Sequence, residues 1–313
     1  MFRAGRFDTL NAQWLCLAGA YQCSVDATKA LWQRELHWSD DDQKALEAWR
    51  IEFDRLQDVS RALDAADAPI PLVGDLQWSL QQRLVYALIS ATNERELESS
   101  ITTLLGAHAV AGWVAPLHSI RPRFDAWWQK QGAALASAFA KQLAEVTKKK
   151  NLTVLAEQVL HFYNPPLTGP QRVTFHLIPR LQTPDDRHGT HTSATVIDTA
   201  AYVEFLPTEA ASDRVDVVLH ELFHFFFSAR SLEQHLALVK AFSASSQPEA
   251  MGLYTLLDEG LATAFGNGLV AQRVTPPAEF ALALATPGRF YASDDIDAVG
   301  KRWFGGAARW LEH

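Results

Sequence analysis

Hydrophobic residues recur at three- and four-residue spacing through most of the first half of the chain. After Asp40-Asp41-Asp42, acids suited to the first turn of a helix, Leu46, Trp49, Phe53, Leu56 and Leu63 form an apolar stripe. Leu80, Leu84, Ala87 and Leu88 repeat it, as do Phe124, Trp127 and Trp128, then Leu135, Phe139 and Leu143. The pattern predicts helices over residues 8–163, with a turn at Ala68-Pro69-Ile70-Pro71 and Lys148-Lys149-Lys150 at a helix C-terminus, where cations are favoured. A Pro- and Gly-rich break at 164–172 marks a predicted boundary. Beyond it the period changes to two: Val173, Phe175 and Leu177 alternate with Thr174 and His176. A polar loop at 183–192 leads to a second such stretch, with Ile197, Thr199, Ala201, Val203 and Phe205 on one face and Tyr202 and Glu204 on the other. The two runs are expected to pair as a hairpin. Helical spacing resumes after Pro207 to about Ala229, then near 231–245, 249–266, 277–285 and 294–304. The expected class is α+β and predominantly α-helical. A helical N-terminal region, 1–163, is followed by a second region, 164–310, that holds a small antiparallel or mixed sheet.

Composition narrows this picture in three places. The chain has 313 residues, 48% of them hydrophobic, which is enough for a substantial core and excludes wholesale disorder. No apolar run approaches the roughly 20 residues that span a bilayer, so no integral membrane segment is expected. The formal net charge of −8 argues against a nucleic-acid backbone as the partner. Two cysteines exclude a four-thiolate zinc site. If Cys16 and Cys23 share one helix, the rise between them is about 10 Å, too far for a disulfide, which leaves two small buried apolar side chains. Residues 1–24 do not read as a secretory signal, because Asp8, Asn11 and Gln13 interrupt any apolar core. The compartment stays open, cytoplasmic by default. Leu311-Glu312-His313 looks like the start of a histidine tag and is set aside. The tryptophans fall mostly on helical stripes (Trp32, Trp49, Trp78, Trp127) and read as core.

The 11 histidines are not explained by composition, and two of them stand in a chemically specific pattern, His220-Glu221-Leu222-Phe223-His224. Histidines at i and i+4 lie one helical turn apart on one side, where both imidazoles can bind a single Zn²⁺. The glutamate beside the first histidine is placed to act as a general base on water at such a site. The neighbours Val217, Val218, Leu219, Leu222, Phe223, Phe225 and Phe226 predict a largely buried helix. Ser212 and Asp213 are its N-cap candidates, and Asp216 falls in its first turn. A buried pair of histidines with a glutamate needs a partner, and zinc is one. A third ligand candidate is Glu259 in Asp258-Glu259-Gly260-Leu261-Ala262, 35 positions after His224.

On these residues the chain resembles the zincin metallopeptidases of gluzincin type. Val217 to Phe226 fits their extended H-E-x-x-H pattern, and Asp258 to Ala262 resembles the E-G-x-A segment that carries the third ligand in thermolysin-like and M1-type enzymes. The resemblance covers about residues 173–266. It implies a zincin-like catalytic region in 164–310 and one Zn²⁺ held by His220, His224 and Glu259. It also implies peptide or protein hydrolysis by metal-activated water, with Glu221 as general base. A catalytically inactive zinc-binding or protein-interaction module is the alternative. A downstream Tyr or His often stabilises the oxyanion in zincins; Tyr291 is the first choice here, with Tyr254 and His235 behind it. The acid that some gluzincins carry four residues after the third ligand is replaced by Thr263, so the support of a zinc-bound histidine has to come from elsewhere. Asp185 to His191 could be read as a second metal site, but a solvated loop accounts for it as well.

Overall fold

The structure, a computed structural model, describes residues 2–3, 5–21, 23–67, 79–167, 169, 172–181, 194–197 and 199–312, with the backbone alone for 57–67. The turn at 68–71, the loop with its Asp185–His191 reading, and Trp78 lie outside the described residues. The chain is 73% helical with a small four-stranded mixed sheet, the α+β and predominantly helical class that the periodicities predict. Among the described residues no helix is long and apolar enough to cross a membrane. Two compact units form. The first draws on the described residues among 1–69, 78–141 and 173–209, and the second on those among 142–172 and 210–313.

In the first unit, strand β1 (Phe2–Arg3) precedes helices α1 (Arg6–Leu17), α2 (Val25–Glu35), α3 (Asp40–Asp67), α4 (Leu80–Ser90), α5 (Glu94–Leu105) and α6 (Val110–Trp127). The first half of α7 (Ala133–Lys149) follows. The apolar stripes meet in an aromatic core in which Trp14, Trp32, Trp38, Trp49, Phe53 and Trp113 pack ring to ring. The start of α3 is closed by Ser39: its Oγ accepts from Asp42 N–H at 3.2 Å, and the Asp42 carboxylate accepts from Ser39 N–H at 2.9 Å. That carboxylate also takes both guanidinium nitrogens of Arg123, at 2.7 and 2.8 Å.

The strands belong to this unit, so its make-up does not follow the 163/164 boundary read from the sequence. The strands are β2 (Thr174–Pro179), β3 (Ala194–Ile197) and β4 (Ala200–Phe205), in sheet order β1-β2-β4-β3. The two β-type runs do not form the expected hairpin. The second run folds back on itself, pairing Ile197 with Ala200 antiparallel, and β4 then lies parallel to β2. As a central strand β4 is buried along its whole length, so Tyr202 and Glu204 are not a solvent face. They join His176 and Arg180 in a buried polar layer. His176 Nδ1 lies 2.6 Å from Asp8 of α1 and its ring stacks on Tyr202, while Glu204 accepts from Ser24 N–H at 3.1 Å.

Cys16 and Cys23 form a disulfide, with Cα atoms 5.7 Å apart, which corrects the reading of two free apolar thiols. The two residues do not share a helix. Helix α1 ends at Leu17, and Gly19 takes φ +72°, a left-handed turn that brings the chain back.

The second unit holds α8 (Leu152–Tyr163), α9 (Val215–Ser228), α10 (Leu232–Ser243), α11 (Ala250–Thr255), α12 (Leu257–Thr263), α13 (Ala271–Val274), α14 (Pro277–Ala285) and α15 (Asp294–Trp310), with a π-helical turn at Ala264–Val270 joining α12 to α13. Phe265 of that turn is surrounded by Phe162, Tyr163, Phe223 and Trp310. Ser212 and Asp213 do not cap α9 but form a 3₁₀ turn before it; the cap position is Arg214, and Asp216 does sit in the first turn.

Two stability predictions follow from the first unit. Removing the disulfide, by Cys16→Ser with Cys23→Ser or by reductant, is expected to cost about 2–3 kcal/mol for so short a loop, read from urea melts with and without reductant. Burial pushes the Asp42 carboxyl up, but the bonds from Arg123 and Ser39 outweigh it and hold it below the ordinary carboxylate range. A depressed folded-state pKa stabilises above the unfolded value of about 3.9 and stops doing so as pH falls through the folded value. Asp42→Asn is therefore expected to cost about 1.5–3 kcal/mol near neutrality. Its melting temperature should also fall less steeply below about pH 4 than that of the wild type.

Candidate metal centre

Helix α9 is largely apolar, and ten of its 14 residues are buried with none exposed. One turn apart on it, His220 and His224 turn their rings toward each other, with centroids 4.6 Å apart and the two Nε2 atoms at 2.9 Å. Helix α12 supplies the third group. Asp258 and Glu259 lie in its first turn. The Glu259 carboxylate reaches both histidines, with Oε1 3.3 Å from His224 Nε2 and Oε2 3.5 Å from His220 Nε2. The sequence-predicted ligands His220, His224 and Glu259 are thus brought together.

The far nitrogens are held as well. His224 Nδ1 lies 2.9 Å from the Asp258 carboxylate, and His220 Nδ1 lies 2.9 Å from Asn267 Oδ1. Asp258 therefore supports a candidate ligand and is not one itself, and Asn267 was not among the candidate residues. Thr263, at the position of the missing acid, is fully buried, and its Oγ1 has no hydrogen-bond partner among the described residues. Asn267 is eight residues past Glu259, which on an unbroken α-helix would turn it about 80° away. The π-helical turn winds more slowly, at about 4.4 residues per turn, and the four steps taken through it cut that offset to about 10°. Gly266 makes the approach possible: a Cβ there would lie 2.7 Å from His220 Cβ and 2.9 Å from its Cα.

The protons decide what this arrangement can hold. A carboxylate and an amide oxygen only accept, so both Nδ1 atoms carry hydrogen and both Nε2 atoms present lone pairs. Two lone pairs 2.9 Å apart, beside a carboxylate, need a cation between them. Without metal that cation is a proton. Burial lowers the His224 pKa, but Asp258 and Glu259 outweigh it and push it well above the usual imidazole range. Burial likewise raises Glu259, and the two histidines outweigh it, holding its carboxyl well below the ordinary range. Glu259 Oε2 is buried with no hydrogen-bond partner among the described residues. Zinc bound tetrahedrally at about 2.0–2.1 Å separates its ligand atoms by about 3.3–3.4 Å. The two carboxylate separations, 3.3 and 3.5 Å, match that spacing, while the two Nε2 atoms, at 2.9 Å, stand closer than tetrahedral zinc would hold them.

Glu221 and Tyr291 complete the surroundings. Glu221 is buried, and burial raises its carboxyl above the ordinary range against the pull of His224 and His220. The Tyr291 ring stacks on His220 at 6.0 Å. Its hydroxyl is kept protonated, first by burial and then by Glu259 and the charge of Glu221. Asp297 of α15 anchors the Tyr291 loop by accepting from the N–H groups of Phe290 at 2.7 Å and Tyr291 at 3.3 Å, while Lys301 pairs with it at 2.9 Å. The other two oxyanion candidates pack elsewhere, Tyr254 on Phe242 and His235 on Phe227.

No family model, curated protein or solved structure matches this chain. Among the described residues the one further cluster of metal-ligating types is Cys16, Cys23 and Glu204, and both sulfurs there are joined in the disulfide. Asn267 had no signal in a linear motif, because an unbroken helix would have turned it aside. Asp297 had a weak one, an acid in the first turn of a predicted helix just after Tyr291.

Gly266→Ala puts a methyl against backbone rather than against a flexible side-chain end. It is expected to cost about 1–3 kcal/mol in chemical denaturation and to lower metal uptake as His220 shifts. Gly252→Ala, with open space around its Cβ position, is the control and should change neither.

Proposed function

We propose that the chain is a zinc-dependent metallopeptidase that hydrolyses peptide bonds in a peptide or protein substrate. The observation that carries this reading is the convergence of His220, His224 and Glu259 on one point, with Glu221 and Tyr291 beside it. The H-E-x-x-H and E-G-x-A patterns point the same way. Bound zinc would supply a Lewis acid that polarises a substrate carbonyl and makes water more acidic.

The residues then divide the work. Asp258 and Asn267 fix the imidazoles with Nε2 inward. Glu221, its pKa raised by burial toward the working range of a general base, takes a proton from the attacking water and delivers it to the departing amine nitrogen. Water adds to the carbonyl carbon as the C–N bond breaks, so the products are a carboxylic acid and an amine. Tyr291 keeps its proton and can donate a hydrogen bond to the oxyanion that develops on the carbonyl oxygen. The Cys16–Cys23 bond favours surroundings in which thiols stay oxidised.

Metal analysis should find about one zinc per chain in the wild type and loss of it in His224→Ala. In a peptide-library digest, Glu221→Gln should retain zinc while cleavage falls about 10²–10⁴-fold. Tyr291→Phe should lower kcat about 10²-fold with little change in KM. Equal metal in the wild type and His224→Ala would overturn the ligand set. Cleavage that survives Glu221→Gln unchanged would overturn the base. Zinc binding without cleavage would point to the inactive module instead.

A further inference from the structure

We infer that the π-helical turn at Ala264–Val270 serves to place Asn267 against His220, and that the Asn267 amide oxygen is the positioning group that holds His220 Nε2 toward the metal position. The inference rests on the zinc reading above. Three observations carry it. Asn267 Oδ1 lies 2.9 Å from His220 Nδ1, with its side chain half-buried behind the ligand. The turn is flanked by regular helix on both sides, α12 before it and α13 after it, so the change of winding is confined to the stretch that contains Asn267. Gly266, next to it, is the residue whose missing Cβ lets the turn close onto His220.

The two ligands are consequently held by unlike partners. His224 faces a carboxylate, whereas His220 faces a neutral amide. A neutral acceptor fixes the tautomer of His220 without adding a further negative charge to a site that already carries Glu221, Asp258 and Glu259. An aspartate at 267 would fix the same tautomer and make the imidazole a stronger donor, tightening the metal while weakening its pull on substrate. An alanine would leave the His220 ring free to rotate and to adopt the tautomer with hydrogen on Nε2, which cannot bind a metal through that atom.

The test measures zinc affinity by chelator competition, and the absorption spectrum of the Co²⁺-loaded protein, for the full chain and for Asn267→Ala and Asn267→Asp. The melting temperature of each metal-free protein reports folding. Asn267→Ala is expected to weaken zinc about 10–100-fold and to alter the Co²⁺ bands. Asn267→Asp is expected to restore wild-type affinity or better, with a lower kcat. A wild type that binds zinc alongside an Asn267→Ala protein that binds it equally well would overturn the role of Asn267 alone. So would an Asn267→Asp protein as weak as the alanine variant although its metal-free form melts like the wild type. A wild type that takes up no zinc would overturn the metal reading, and this inference with it.

Discussion

Two imidazole nitrogens 2.9 Å apart on a largely buried helix impose a single condition: positive charge must lie between them. The rest of the second unit is arranged around that condition. Asp258 and Asn267 fix the hydrogens on the outer nitrogens, so the inner ones have nothing left to donate. Glu259 closes the third side with a carboxylate. A proton on His224 satisfies the condition in part, but one proton cannot serve two histidines and the orphaned Glu259 Oε2 together. The zinc proposed above would accept from all three.

The same burial that makes this condition strict also tunes the neighbours. Glu221 would be an ordinary carboxylate in water. Inside α9 the loss of solvation raises it, which would suit the general base proposed above. Tyr291 is moved in the same direction for the same reason and remains a donor. Asp297 ties its loop to α15, so the hydroxyl is presented by a backbone held at two N–H groups and not by a free tether. The cost of burial is met in packing, since Phe223 and Phe227 of α9 meet Phe265 and Tyr163 edge-on.

The first unit deals with buried polarity differently. Its sheet has an apolar face and a polar one, and both are covered. His176, Tyr202, Arg180 and Glu204 are shielded from water and answered by Asp8, Ser24 and one another. Asp8 and Ser24 answer by hydrogen bonds, Arg180 pairs with Glu204 at 3.8 Å and Tyr202 stacks on His176, so these contacts leave no two imidazole lone pairs facing each other. The contrast separates a histidine bonded within the scaffold, His176, from two whose inner nitrogens face each other.

Local rules were readable from the residues. Helical stripes depend on neighbours three and four apart, and so does H-E-x-x-H. The long helices, the predominantly helical α+β class and the placing of His220, Glu221 and His224 on one turn were therefore legible from the chain alone. Tyr291 was legible only as a candidate. What the sequence could not determine was set by groups far apart in the chain. Helix α1 ends early and Gly19 turns back, which turns two cysteines read as isolated into a bond. The strand 200–205 pairs parallel with 174–179 because the intervening run folds onto it first, and that burial makes Glu204 an interior residue. Asn267 reaches His220 only because one helix slows its winding for a single turn and a glycine lets it come close. Spacing along the chain fixed which side chains could share a turn; the packing of one helix on another decided which atoms finally met.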